Sequence, residues 1–236
     1  MMTLKAIYFD VDDTLYDQLL PFKVAFKAIF KDLNTDIEGV YKSSRYYSDL
    51  VFEDTESGKL SLKDMQVYRI KSALKDYDIE ITDIEAALFQ KYYGEKQKEI
   101  FLEKDLISLF NRLVANGVET GIITNGSSSH QRDKIRQLGM GKWVTNNAIY
   151  ISSEVGSAKP KRTIFDLAAK GRSVNDFIYV DDSFSDDIVG AKNAGWKTIW
   201  FNRRGRKSSF SQIQTDYEVR TLSELIEVIE LLMNSA

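Results

Sequence analysis

The clearest pattern near the start of the chain is a short apolar run, Leu4 to Phe9, that ends abruptly in Asp10, Asp12 and Asp13. A continuous apolar run rich in β-formers predicts a strand buried on both faces, as in a parallel sheet. From Pro21 to about Phe101 the period changes. Residues 21–33, 61–77 and 82–101 space their apolar positions at three and four, which predicts helices, with Ser61 and Thr82 as N-caps. Beyond that block the pattern alternates. Helices are expected at 105–117, 127–139, 160–171, 185–195 and 221–233, and strands at 118–126, 147–152, 176–182 and 196–201. Strands alternating with helices of ten or more residues indicate βαβ units and a doubly wound parallel sheet. The fold class expected is therefore α/β, with residues 1–16 and 100–236 as a Rossmann-like core and an all-helical insertion over residues 17–99.

Composition narrows the function. Hydrophobic residues make up 43% of the 236 residues and charged residues 28%, as in ordinary globular proteins. A net charge of −3 offers no basic field for nucleic acid or an anionic membrane. The absence of cysteine removes disulfides, thiolate metal sites and cysteine nucleophiles. No apolar run reaches the length of a membrane span, and the first residues do not read as a signal peptide. A cytoplasmic protein is expected, monomeric or homodimeric, with a small-molecule partner and neither a nucleic-acid polymer nor a membrane.

Ligands of open parallel sheets bind beyond the carboxyl ends of the strands. Four polar clusters fall at those ends: Asp10, Asp12, Asp13 and Thr14; then Thr124-Asn125-Gly126; then Lys159-Pro160; and Asp181-Asp182 with Asp186 and Asp187. Like charges this close repel unless a cation sits among them. Carboxylates from two strand ends, Asp10 and Asp182, make a hard oxygen site suited to Mg²⁺. The Thr124 hydroxyl and the amides of Asn125 and Gly126 can cradle an anion. Lys159 would reach the same anion from the start of a helix, with Pro160 in its first turn. Metal, lysine, hydroxyl and amides around a lone carboxylate describe phosphoryl transfer to aspartate.

These stretches, FDVDDTL, ITNG, AKP and VDDSFSDDIVGAKNAG, resemble the four motifs of the haloacid dehalogenase-like hydrolase superfamily, in the family's order. The helical block sits where that family carries its C1 cap. The resemblance implies Asp10 as nucleophile, Asp12 as general acid and base, and Thr124 and Lys159 on the phosphate. It implies Mg²⁺ held by the Asp10 carboxylate, the Asp12 backbone carbonyl and Asp182. The pair Asp181-Asp182 leaves that ligand ambiguous by one residue; Asp182 is favoured, Asp181 is second, and Asp187 is expected to orient metal-bound water. Asp186 is expected only to favour a helix N-terminus.

Within the family, Asp12 argues against dehalogenase and phosphonatase chemistry, which lack that aspartate. The single histidine, His130, does not follow the first motif as it does in phosphosugar mutases, and is expected to be exposed and inert. The expectation is a Mg²⁺-dependent phosphatase acting on a small phosphorylated metabolite, a nucleotide monophosphate first and a sugar phosphate or phosphorylated cofactor next. A mutase or a non-catalytic phosphate-binding protein is the alternative. Arg45 and Tyr47 are candidates for substrate selection, although helix packing is the favoured explanation of the block's aromatics. The basic stretch Arg203–Lys207 reads as a solvated loop.

Overall fold

A computed structural model describes residues 4–207 and 213–234, and Asp186 by its backbone alone. The chain divides into two compact units, Met1–Asp17 with Phe101–Ala236, and Gln18–Ile100.

The first unit is built on six strands: β1 (Ala6–Phe9), β2 (Glu119–Thr124), β3 (Ile149–Ile151), β4 (Phe177–Asp181), β5 (Lys197–Phe201) and β6 (Tyr217–Val219). All pair in parallel, in the order β3-β2-β1-β4-β5-β6. The chain winds from β1 outward through β2 and β3, then returns past β1 to build the other half. The order therefore reverses beside β1, between it and β4, and such a switch point opens a crevice at the strands' carboxyl ends. The strand β6 has no counterpart among the expected elements: three residues, Tyr-Glu-Val, are too few to show alternation.

Both faces of β1 are covered, which is why it carries no polar residue before Asp10. On one face Tyr8 and Tyr179 pack with Phe165 and Trp196. On the other, Phe9 meets Phe110 at 5.1 Å between ring centroids. Phe110 belongs to α6 (Lys104–Ala115), Phe165 to α9 (Arg162–Ala169). Gly121 is required opposite Tyr8, because a Cβ there would lie 2.1 Å from the tyrosine ring.

The remaining helices of this unit are α7 (Ser128–Gln137), the short α8 (Ser152–Val155), α10 (Val189–Asn193) and α11 (Leu222–Asn234). Two differ from expectation. Pro160 precedes α9, which starts at Arg162, and the helix expected at 185–195 opens as a π-helical turn, Phe184–Ile188, before α10. Gly190 lets that segment approach the loop before α9: a Cβ on it would lie 2.7 Å from the carbonyl oxygen of Pro160.

The second unit contains α1 (Leu19–Ile29), α2 (Ile37–Leu50), α3 (Phe52–Glu56), α4 (Leu62–Lys75) and α5 (Asp83–Lys96), with no strand among its described residues. The expected caps form. The Ser61 side chain accepts from the Asp64 amide at 3.1 Å, and Thr82 and Glu85 complete a reciprocal capping box. The helix α2 has no counterpart among the expected elements, because its buried face is only Val40, Tyr41 and Ser44. Phe22, Phe26, Phe89 and Tyr93 form the centre of this unit's apolar core, so most of its aromatic content is packing.

Candidate active site

The register of the sheet builds the site. Phe9 pairs with Val180, so the next residues of the two strands, Asp10 and Asp181, leave the sheet side by side. The Asp10 amide donates to the Val180 carbonyl at 3.0 Å, carrying the pairing one step past β1. Side chains alternate along a strand, so Asp10 projects from the face that carries Tyr8, and Asp181 from that of Tyr179. The Tyr179 hydroxyl donates to Asp181 at 2.6 Å.

Lys159 enters this group from the loop before α9. Its ammonium donates to Asp10 at 2.9 Å, Asp181 at 2.9 Å, Asp187 at 2.8 Å and the Tyr179 hydroxyl at 2.8 Å. The lysine side chain is 1% exposed. An ammonium this deep needs its partners, since removing one member of a buried pair typically costs about 3–5 kcal/mol. Asn125 fixes the lysine's backbone reciprocally: its side-chain oxygen accepts from the Lys159 amide at 2.9 Å, and its side-chain nitrogen donates to the Lys159 carbonyl at 3.0 Å.

Three carboxylates face one ammonium, which leaves an excess of negative charge in a buried place. Burial raises the Asp10 carboxyl to about 6; Lys159 opposes the rise, and Asp181 and Asp12 add to it. Burial and the neighbouring Asp181 push Asp187 well above the usual carboxylate range. Burial alone would lower the Lys159 ammonium, but Asp10, Asp181 and Asp187 outweigh it and hold the group well above its ordinary value. Oxygens of Asp10, Asp181 and Asp187 lie within 4.8 Å of one another, and hard oxygen donors with excess negative charge fit a divalent cation such as Mg²⁺.

Asp182, the favoured ligand from the sequence, is not in this group. One residue beyond the register, it turns to Arg206 at 3.3 Å. Burial raises the Asp182 carboxyl well above its ordinary value, with Arg206 opposing the rise. The stretch Arg203–Lys207 is correspondingly not a merely solvated loop. Arg204 pairs with Asp13 at 3.1 Å and with Asp17, and its side chain is 9% exposed. Asp13, the third acid of the opening cluster, is thus part of an ion pair that anchors this loop.

Asp12 sits in a separate group. The Tyr16 hydroxyl donates to one of its oxygens at 2.5 Å, Gln131 to the other at 3.1 Å, and Lys134 to both at 2.7 and 2.6 Å. Gln131, Lys134, Tyr16 and Tyr179 all escaped the sequence reading. The available signal was a glutamine and a lysine three apart on the buried face of α7, where an apolar stripe would be expected.

Other expected residues fall as follows. Thr124 ends β2 and is buried. The amide of Gly126 donates to the Ser152 hydroxyl at 2.9 Å, so as it stands this amide serves the fold and not an anion. His130 is exposed. The side chain of Asp186 lies outside the described residues. In the helical unit, Arg45 is half-buried on α2, and the Tyr47 hydroxyl donates to Asp76 at 2.8 Å while its ring packs on the unit's core.

A model of the haloacid dehalogenase-like hydrolases matches residues 4–195, the stretch that carries every acid and lysine just described. The chain belongs to this family. It is 30% identical to a glyceraldehyde 3-phosphate phosphatase of Pyrococcus furiosus, over 98% of this chain and 95% of that one. It is 28% identical to the pyrimidine 5'-nucleotidase YjjG of Escherichia coli, over 94% and 96% respectively. Among solved structures, a magnesium-bound form of the HAD-hydrolase YfnB from Bacillus subtilis superposes with a TM-score of 0.71 at 25% identity, covering 98% of this chain and 99% of that one. The L-2-haloacid dehalogenase RSc1362 superposes with a TM-score of 0.74 but at 18% identity, over 97% and 99%, which establishes a shared fold. Among the described residues of this hydrolase, no helix is long and apolar enough to cross a membrane.

Proposed function

We propose that the chain is a Mg²⁺-dependent phosphatase that cleaves a small phosphorylated metabolite through an aspartyl phosphate on Asp10. The observation that carries this reading is the Asp10 carboxylate at the sheet's switch point, with Lys159 against it and Asp181 and Asp187 beside it. Relatives named as phosphatases and nucleotidases support phosphoester chemistry over dehalogenation.

In this reading Asp10 attacks phosphorus and the ester oxygen departs, taking a proton from Asp12. Water then attacks the phosphorus of the aspartyl phosphate, Asp12 takes its proton back, and inorganic phosphate and free Asp10 are regenerated. Lys159 neutralises charge on the transferring group, held in place by Asn125. Thr124 offers its hydroxyl. The Gly126 amide joins only if it leaves Ser152. Asp10, Asp181 and Asp187 would hold the ion, with the Asp12 backbone carbonyl added by family resemblance, and Asp182 is set aside in favour of Asp181. Bound there, Mg²⁺ supplies positive charge against the phosphoryl oxygens.

A nucleoside monophosphate is the substrate class to try first and a triose or sugar phosphate next, since the relatives include a pyrimidine 5'-nucleotidase and a glyceraldehyde 3-phosphate phosphatase. The helical unit, Gln18–Ile100, acts in this reading as a cap that selects the leaving group, with Arg45 and Tyr47 as candidates. The test is turnover of p-nitrophenyl phosphate with and without Mg²⁺, followed by a panel of phosphorylated metabolites. Mg²⁺-dependent turnover that vanishes in Asp10→Asn supports the proposal; no turnover at any Mg²⁺ concentration removes it and leaves a phosphate-binding protein.

A further inference from the structure

The proposed chemistry assigns work to Asp12 but not to the groups that hold it. Lys134 lies on α7 with its side chain 4% exposed, while the Asp12 side chain it meets is 18% exposed. A largely buried ion pair is weak evidence for added stability, since an apolar pair of the same volume often serves the fold as well, although removing one partner alone is costly. What the lysine does is bridge both oxygens of Asp12, at 2.7 and 2.6 Å.

Gln131, one helical turn earlier on the same face, adds a donor to one oxygen, and it is itself fixed by donating to the Asn125 carbonyl at 2.9 Å. Tyr16 adds a donor to the other oxygen. An aspartate in a polar loop would otherwise sample several rotamers. Here rigid elements on two sides define the carboxylate's place.

We infer that Lys134 is a positioning residue for Asp12, holding the carboxylate where it can exchange a proton with the departing ester oxygen. This inference rests on the phosphatase reading above. Its consequence is selective. Protonation matters for a leaving group that departs reluctantly and hardly at all for one that departs as a stable anion. Losing the positioning should therefore penalise reluctant leaving groups and spare good ones, whereas general damage to the site would penalise both.

The experiment compares kcat/KM for phenyl phosphate and p-nitrophenyl phosphate, two esters of similar shape, in the wild type, Lys134→Met and Lys134→Arg with Mg²⁺ present. For Lys134→Met the expected loss is about tenfold to a hundredfold on phenyl phosphate, a part of the roughly 10²–10⁴-fold that a positioned acid–base group supplies. On p-nitrophenyl phosphate the loss should stay below about threefold, and Lys134→Arg should recover most of the phenyl phosphate activity. If Lys134→Met does not fold, Gln131→Met removes a donor without removing the charge and should produce the same split on a smaller scale. Equal losses on both esters, or no loss on either, overturn the inference while leaving the phosphatase intact. A wild type that cleaves neither ester defeats the phosphatase reading itself.

Discussion

Replacing Lys159 by methionine would leave the carboxylates of Asp10, Asp181 and Asp187 without the ammonium that bridges them at 2.8–2.9 Å. Breaking a buried pair costs about 3–5 kcal/mol, and in a chain of this length each kcal/mol moves the midpoint by about 2–4 °C, so metal-free protein should melt about 6–20 °C lower. The loss should depend on pH in a definite direction. Asp10 already sits at about 6 when folded, against 3.8 as its ordinary value, so the folded state binds its proton more tightly. Stability of the metal-free protein therefore falls as pH rises through that window. Removing Lys159 removes the contribution that opposes the rise and extends the window upward. Each proton held across three pH units is worth about 4 kcal/mol, enough to offset the substitution. Thermal melts of wild type and Lys159→Met, both in EDTA, should thus differ most near about pH 8 and much less near about pH 5. Mg²⁺ should recover part of the loss at the higher pH by binding the freed carboxylates. A shift that is the same at both pH values would refute the electrostatic account of this cluster.

Three further expectations follow from the same geometry. Asp181→Ala should raise the Mg²⁺ concentration needed for half-maximal turnover far more than Asp182→Ala, and a titration giving the reverse order would return the ligand role to Asp182. Mg²⁺ affinity measured by calorimetry should weaken as pH drops below about 6, because a proton on Asp10 competes with the ion, and binding in that range should release protons to the buffer. Gly121→Ala should destabilise the sheet by about 1–3 kcal/mol through overpacking against Tyr8, read as a lower denaturant midpoint; an unchanged midpoint would mean that the ring can move aside.

Much of this was legible in the sequence because the strands are buried on both faces and end abruptly in acids. The run Ala6–Phe9 and the stretch Phe177–Asp181 carry no polar residue until the crevice, so both strand and site announce themselves together. Elements stabilised by context were harder to see. β6 is three residues long, and α2 buries few side chains. Which of Asp181 and Asp182 lies beside Asp10 hinges on sheet register, which a single sequence does not contain: both are strand-end aspartates until Phe9 is paired with Val180. Lys134 and Arg204 look like surface residues in a linear reading, but they are buried where Asp12 and Asp13 meet them. Long-range ion pairs of this kind leave no local periodicity to read.

The central claim, that Asp10 carries the phosphoryl group, is tested most directly by catching it there. Wild-type protein mixed with Mg²⁺ and p-nitrophenyl phosphate, quenched in acid within the first turnovers and digested, should yield the peptide containing Asp10 with one added phosphoryl group. The adduct should be absent from Asp10→Asn. An unmodified Asp10 peptide in protein that is turning over substrate, or an Asp10→Asn variant with wild-type turnover, would contradict the account.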